Sequence, residues 1–308
     1  MRFWINAAYR KTEIRQIDNF KYVKDIVTME KIVLQQSHNE NQGAAVISEE
    51  FSEIPSGSVF RRFFLEVSSI AIFTLRFFKE VFKPPYEFNE LMKQSFLIGY
   101  KSLPLVGITA FIVGLVLTIE SRPTLANFGA ESWLPAMVAI SIIREMGPAI
   151  TALIFAGKVG SGIGAELASM NVTEQIDAMQ VSGTNPFKYL VVTRVLSATL
   201  MLPLLVIFAD TIAMIGSFVG VNLKGTTSAH LFTSQVFQIL QFGDLFPAFI
   251  KTFFFGFAIG VIGCYKGYNS NKGTEGVGKA ANSAVVFASL MVFLIDMIAV
   301  QITSLFQN

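Results

Sequence analysis

A chain of 308 residues that is 52% hydrophobic, 13% aromatic and only 15% charged falls well short of the roughly 25% charged residues of an average soluble domain, which points to a protein that faces lipid. The formal net charge of +2 is too small for a nucleic-acid binder, and the basic residues gather toward one end instead of forming a stripe. Cys264 is the only cysteine and His38 and His230 lie far apart in polar segments, so a disulfide framework within one chain is excluded and no metal site is expected.

Residues 1–57 are polar and mixed in charge, ending in a run rich in Asn, Gln, Ser and Glu from Ser37 to Ser58. This is the composition of a partly disordered arm. Its start carries Arg2, Arg10, Lys11 and Arg15 but lacks the apolar core and cleavage site of a secretory signal, so no cleaved signal is expected. An organelle presequence is a second reading, although Glu13 and Asp18 are out of keeping with an acid-poor leader.

Residues 59–83 place Phe60, Phe63, Phe64, Val67, Ile70, Phe78 and Val81 at helical spacing, with Arg62, Glu66, Ser69, Arg76 and Lys83 on the other side. The uncharged stretch between Glu66 and Arg76 is far shorter than the roughly 17 residues needed to cross a bilayer. An amphipathic helix in the membrane interface is expected, with a helix docked on the bundle as the other reading. Pro84 and Pro85 end it.

Five hydrophobic segments follow, Leu103–Ile119, Leu134–Ala156, Leu190–Val221, Leu245–Tyr265 and Ser283–Leu305. The third would be about 48 Å long as a helix, too long for one upright crossing and too short for two spans with a turn. It reads as one helix, tilted or kinked at Pro203. The fold class is therefore all-α integral membrane, with an interfacial helix, five transmembrane helices and a short cytoplasmic helix in one domain over residues 58–308. Orientation follows from Lys and Arg. Arg61, Arg62, Arg76, Lys79, Lys83, Lys93 and Lys101 precede the first span, and Lys266, Lys272 and Lys279 follow the fourth. These are inside loops, which puts the N-terminus and the stretch Lys158–Lys188 in the cytoplasm and the C-terminus outside.

From Gly157 the chain reads GKVGSGIGAELASMNVTEQIDAMQVSGTNP. Gly157, Gly160, Gly162 and Gly164 permit close packing or a tight bend as the second span leaves the membrane. Asn171 is placed to cap a helix with Glu174 at its third position, in the manner of a capping box. Val172, Ile176 and Met179 would then share one face, with Glu174 and Asp177 elsewhere, until Gly183 and Pro186 terminate the helix. Two readings stand for this short amphipathic cytoplasmic helix: a helical loop packed on the bundle, or a docking helix for a cytoplasmic partner.

Arg144, Glu145, Asp210, Lys251 and Asp296 interrupt otherwise apolar spans. A charge at a helix centre costs about 2.5–3.5 kcal/mol on insertion scales, so each needs a partner, water or a headgroup. Arg144 and Glu145 are consecutive, about 100° apart on a helix, and are expected to face different neighbours. The candidate pairs are Arg144 with Asp296 and Glu145 with Lys251. Gly216-x-x-x-Gly220 and Gly256-x-x-x-Gly260 read chiefly as helix-packing faces. No G-x-x-x-x-G-K-[ST] loop is present, and Gly157-Lys158-Val159 does not supply one. Neither a dinucleotide fingerprint in a βαβ unit nor a nucleophile elbow occurs, so the chain is not expected to be an enzyme.

The contiguous run ELASMNVTEQIDAM from Glu166 to Met179, with REMGPAITALIFAGKVGSGIGAE upstream and NKGTEGVGKAANSAVV before the last span, resembles the MlaE permease family, which includes the chloroplast permease for lipid import. The likeness runs over roughly residues 58–308. Ala168 stands where many relatives have glycine, and the first 57 residues have no counterpart. The resemblance implies a homodimeric permease of an ATP-binding-cassette transporter. Beneath it would sit two copies of a separate ATPase holding ATP and Mg, and on the far side a periplasmic protein of the MCE class. The substrate would be phospholipid and the membrane the inner membrane of a Gram-negative bacterium, with no cofactor bound by this chain. It further implies that Arg144, Glu145, Lys251 and Asp296 line or border the lipid pathway. Glu166, Val172, Glu174, Gln175, Ile176, Asp177 and Met179 would couple to the ATPase. The residues alone leave two other classes open: a proton-coupled secondary transporter relaying through Asp210, Asp296 and Glu145, and a structural anchor for soluble partners.

Overall fold

The computed structural model describes residues 59–307 apart from 85, 224, 226 and 272; the polar arm expected over residues 1–57 lies outside the described residues. The chain divides into two compact units, Met1–Glu66 and Val67–Asn308. What is described of the first is the opening of a helix. The second holds everything that follows.

Among the described residues there are helices and no strand: α1 (Val59–Val81), α2 (Phe88–Asn127), α3 (Glu131–Val172), α4 (Gln175–Val181), α5 (Phe187–Asn222), α6 (Ala229–Ile239), α7 (Phe242–Tyr268) and α8 (Thr274–Gln307). Five of them, α2, α3, α5, α7 and α8, are long and apolar enough to cross a bilayer, which makes this an all-α integral membrane protein. In α5, 67% of the most apolar window is buried, against 28% in α2 and 17% in α8. The third span is thus the hub, and α2 and α8 turn most of their apolar surface outward. α5 passes through Pro203 as a single helix.

Small residues let backbones touch around that hub. A Cβ on Gly114 of α2 would overlap the Ala213 carbonyl of α5, and one on Gly216 would overlap the Phe111 carbonyl. Thr118 donates to Ser217 across the same seam at 2.8 Å. On the other side of α5, a Cβ on Gly256 would come within 2.6 Å of the Ala198 carbonyl, and one on Gly260 within 3.0 Å of Val195 Cα. Both small-residue motifs therefore serve packing within one chain.

The glycine cluster after the second apolar segment does not bend the chain. α3 continues unbroken to Val172, through π-helical stretches at Ile142–Met146 and Ala156–Gly160. The glycines instead admit α7: a Cβ on Gly263 would lie 3.0 Å from the Gly160 carbonyl, and one on Gly267 2.7 Å from that of Gly164.

α1 packs through Ile70, Phe73 and Phe77, a stripe at i, i+3 and i+7. Phe73 meets Phe187 and Tyr265 edge-on at 5.0 and 5.5 Å, and the Arg76 guanidinium lies 4.3 Å from the Phe187 ring centre. Phe73 and Phe77 carry the docking, and the expected apolar face included neither. The outward side is apolar as well, with Ile72 and Leu75 exposed. A docked helix with a second apolar face and a basic edge suits a membrane interface, so the two readings are compatible. At its end Glu80 accepts from Lys83 at 2.8 Å and from the Asn185 side chain at 3.2 Å. The Lys83 hydrogen bond holds the Glu80 carboxyl below its usual range.

Candidate functional site

The π-helical turn Ile142–Met146 carries Arg144 and Glu145. Such one-turn insertions recur at functional sites. Arg144 is ion-paired with Asp244 in the first turn of α7. Glu145 accepts from Lys251 Nζ at 3.0 Å, and Asp296 of α8 accepts from the same ammonium at 2.9 Å. Two expectations are corrected here. Arg144 pairs with Asp244, not Asp296, and the two consecutive residues reach partners on one neighbouring helix instead of two. Asp244 and Lys251 stand seven residues apart, two turns along the same face of α7, and that spacing allows it.

Sequence reasoning passed over Asp244 because it precedes the fourth apolar segment and looks like loop. Its i, i+7 relation to Lys251 is the signal that could have found it. Burial differs sharply within the network: the Lys251 side chain is 5% exposed and that of Asp244 7%, whereas Arg144 and Glu145 are 40% and 46% exposed. Lys251 is thus a buried keystone, while its neighbours on α3 face open space.

Arg144 opens on a cleft of about 1030 Å³ between α7 and α8, which Asp244 and Lys251 also line. Its walls are apolar, formed by Phe246, Ile250, Phe254, Ile295, Ile298 and Ile302. A smaller cavity of about 230 Å³ shares Arg144, Asp244 and Lys251 and adds Glu145. The four residues expected along a lipid pathway therefore stand in two neighbouring clusters, Arg144 with Asp244 and Lys251 with Glu145 and Asp296, and Arg144 and Lys251 line the cleft.

Asp210 lies elsewhere. It lines a separate, mainly apolar cavity of about 560 Å³ between α5 and α6, and its Oδ1 is buried without a hydrogen-bond partner. A Cβ on Gly147 would overlap that oxygen.

The expected coupling residues fall on three pieces of backbone. Glu166 lies within α3, where its carboxylate accepts from the buried Arg194 of α5 at 2.8 Å. Val172 is the last residue of α3. Glu174 sits in the turn with φ 56°, and Gln175, Ile176, Asp177 and Met179 belong to α4. The expected capping box is absent, because Asn171 is still helical and donates its side-chain amide to the Ser270 carbonyl at 2.9 Å. The short helix consequently begins at Gln175, and Val172 does not share its face with Ile176 and Met179. Ile176 is buried and Met179 packs against the core, while Glu174, Gln175, Asp177 and Val181 are exposed. Among the described residues no group of three His, Cys, Asp or Glu side chains could hold a metal ion.

A sequence model of the family described as Permease MlaE matches residues 91–302. A probable ABC transporter permease protein of Rickettsia typhi is 38% identical over 233 residues, covering 76% of this chain and 90% of that protein. A probable ABC transporter permease protein of Synechocystis is 35% identical over 203 residues, 66% of this chain and 77% of its own length. The intermembrane phospholipid transport system permease protein MlaE of Haemophilus influenzae is 34% identical over 212 residues, 68% of this chain and 81% of that protein. With a family match across most of its length and five spanning helices in place, this chain belongs to the MlaE permease family.

Proposed function

We propose that the chain forms the membrane half of an ATP-driven phospholipid transporter. Two copies would pair as a homodimer, served from the cytoplasm by a pair of ABC ATPases that hold ATP and Mg. Lipid would pass between the inner membrane of a Gram-negative envelope and a periplasmic carrier of the MCE class. The observation that carries the reading is the division of the 1030 Å³ cleft into an ionic end and apolar walls, which matches a molecule with a charged head and acyl tails. The likeness to an ABC transporter permease of Rickettsia and to a phospholipid transport permease of Haemophilus supports the ATPase partner and the phospholipid substrate.

The path of force follows from α3. From Arg144 to Val172 it is one continuous helix, a run of about 42 Å. The turn at Glu174 and helix α4 hang from its far end, so a push on α4 by a closing ATPase pair moves the residues that form the cleft's ion pairs. The glycine contact between α3 and α7 offers little side-chain interlocking against that movement.

Coupling is tested by replacing Glu174 and Asp177 together with lysine. ATPase co-purification is lost or hydrolysis is uncoupled from transport, while the permease still inserts. A complex that survives with full activity removes the docking role of α4. Glu174→Gly removes the charge while glycine accepts the left-handed conformation without strain, and pull-down of the ATPase is expected to weaken.

Orientation is tested with single cysteines in a Cys264→Ala background. Residues 127 and 227 are expected to react with an impermeant thiol reagent from outside, and residue 271 to stay protected until the membrane is opened. External labelling at 271 reverses the assignment of sides.

A further inference from the structure

The cavity of about 560 Å³ between α5 and α6 has apolar walls, among them Ile207, Met214, Phe218, Phe232 and Phe237, and Asp210 is the one ionisable residue among the described residues that line it. The other polar lining residues are two threonines whose protons are already spent on their own helices. Thr211 donates to the Ile207 carbonyl at 2.8 Å and Thr233 to that of Ala229 at 2.9 Å. Oδ1 of Asp210 is sealed without a partner, at the place where a Cβ on Gly147 would overlap it. Its other oxygen is not sealed in this way, and among the described residues no group donates to it. A polar group left unpaired in apolar surroundings is costly, so a donor arriving from outside the chain would be taken up favourably. Ile143 and Leu245 line this cavity while their chain neighbours Arg144 and Asp244 line the larger cleft, so the two spaces lie on different faces of α3 and α7.

We propose that this second cavity binds a neutral single-chain lipid with a hydroxyl head, of the monoacylglycerol class. Its volume, about 560 Å³ against 1030 Å³ for the cleft, gives room for one acyl chain where the cleft has room for two. No cation is among its lining residues, so a phosphate or carboxylate head would meet Asp210 as an unanswered like charge in apolar surroundings. A hydroxyl both donates and accepts, and pairs with a carboxyl whether or not that carboxyl holds its proton. An ammonium offers no acceptor to a protonated carboxyl and would leave water for a cavity with one group to receive it. The walls hold the chain and Asp210 selects the head.

The test uses purified full-length protein in phosphatidylcholine nanodiscs and a monoacylglycerol with a photoreactive diazirine in its chain, the adducts being mapped by peptide mass spectrometry. Labelling is expected within residues 207–218 and 229–245, which hold most of the cavity wall. Unlabelled monoolein competes about tenfold better than methyl oleate, which has the same chain and no donor, the scale of one hydrogen bond to a carboxyl. It also competes better than oleoyl lysophosphatidylglycerol, which brings an anion. Asp210→Asn keeps the preference because its amide donates and accepts, and Asp210→Leu loses it while labelling of the same residues persists. Labelling elsewhere overturns the site, and equal competition by methyl oleate reduces it to a lipid-filled groove without selection. Stronger competition by the lysophospholipid overturns the neutral head, and an unchanged preference in Asp210→Leu removes Asp210 from the site. The competition series needs the wild-type protein alone, so the outcome is decided even where Asp210→Leu fails to fold.

Discussion

Lys251→Ala is expected to lower the unfolding free energy of the detergent-solubilised protein by about 3 kcal/mol, seen as a drop in melting temperature and in monodisperse yield. The Lys251 ammonium lies 3.0 Å from Glu145 and 2.9 Å from Asp296 with 5% of its side chain exposed. Removing it strands two carboxylates. The magnitude is set at the low end of the range for broken buried pairs because Glu145 is 46% exposed and solvent screens its share. A triple variant, Lys251→Met with Glu145→Gln and Asp296→Asn, removes all three charges and regains most of the stability, yet loses phospholipid retention. Arg144→Lys behaves differently: a cation of nearly the same reach still answers Asp244, so folded yield holds, while loss of the guanidinium fork lowers co-purifying phospholipid. The matching charge exchange is therefore between Arg144 and Asp244. If Lys251→Ala melts with the wild type, the three-residue network does not fasten the bundle.

Gly114→Ala and Gly216→Ala are each expected to destabilise the bundle by about 3 kcal/mol or more, the upper range for forcing atoms into a packed core. The added methyl would overlap a main-chain carbonyl, Ala213 for one and Phe111 for the other. Backbone cannot swing aside as a flexible side chain does, so α2 must lift from α5, and the Thr118–Ser217 hydrogen bond of 2.8 Å goes with it. Gly162→Ala is the control, since a Cβ there meets nothing within 4 Å. The same chemical change is then neutral or favourable by up to about 1 kcal/mol through helix propensity. Size-exclusion profiles of the three variants decide the matter, and equal behaviour of Gly114→Ala and Gly162→Ala would falsify the close α2–α5 approach.

The spans were legible in the residues because a bilayer imposes a length and a polarity on any helix that crosses it, and both can be counted along a chain. The third segment, Leu190–Val221, was readable as one helix for that reason. The charges at 144, 145, 251 and 296 were conspicuous because a charge in hydrocarbon is costly enough to need a purpose. Partners were another matter. Which carboxylate meets Arg144 depends on helix rotation and relative depth, and Asp244, outside the apolar window, became visible as a partner when α7 was laid against α3. The glycines at 160 and 164 fitted a bend or a close contact equally well, because missing side chains permit both. The approach of Gly263 and Gly267 selects contact. Asn171 and Glu174 have the right spacing for a cap, but Asn171 is engaged by Ser270 across the fold, and α3 runs past it. Local pattern thus determined what crosses the membrane and where charge is anomalous. Tertiary packing decided who pairs with whom, because a side chain's partner is set by the distance between helices, and no residue records that by itself.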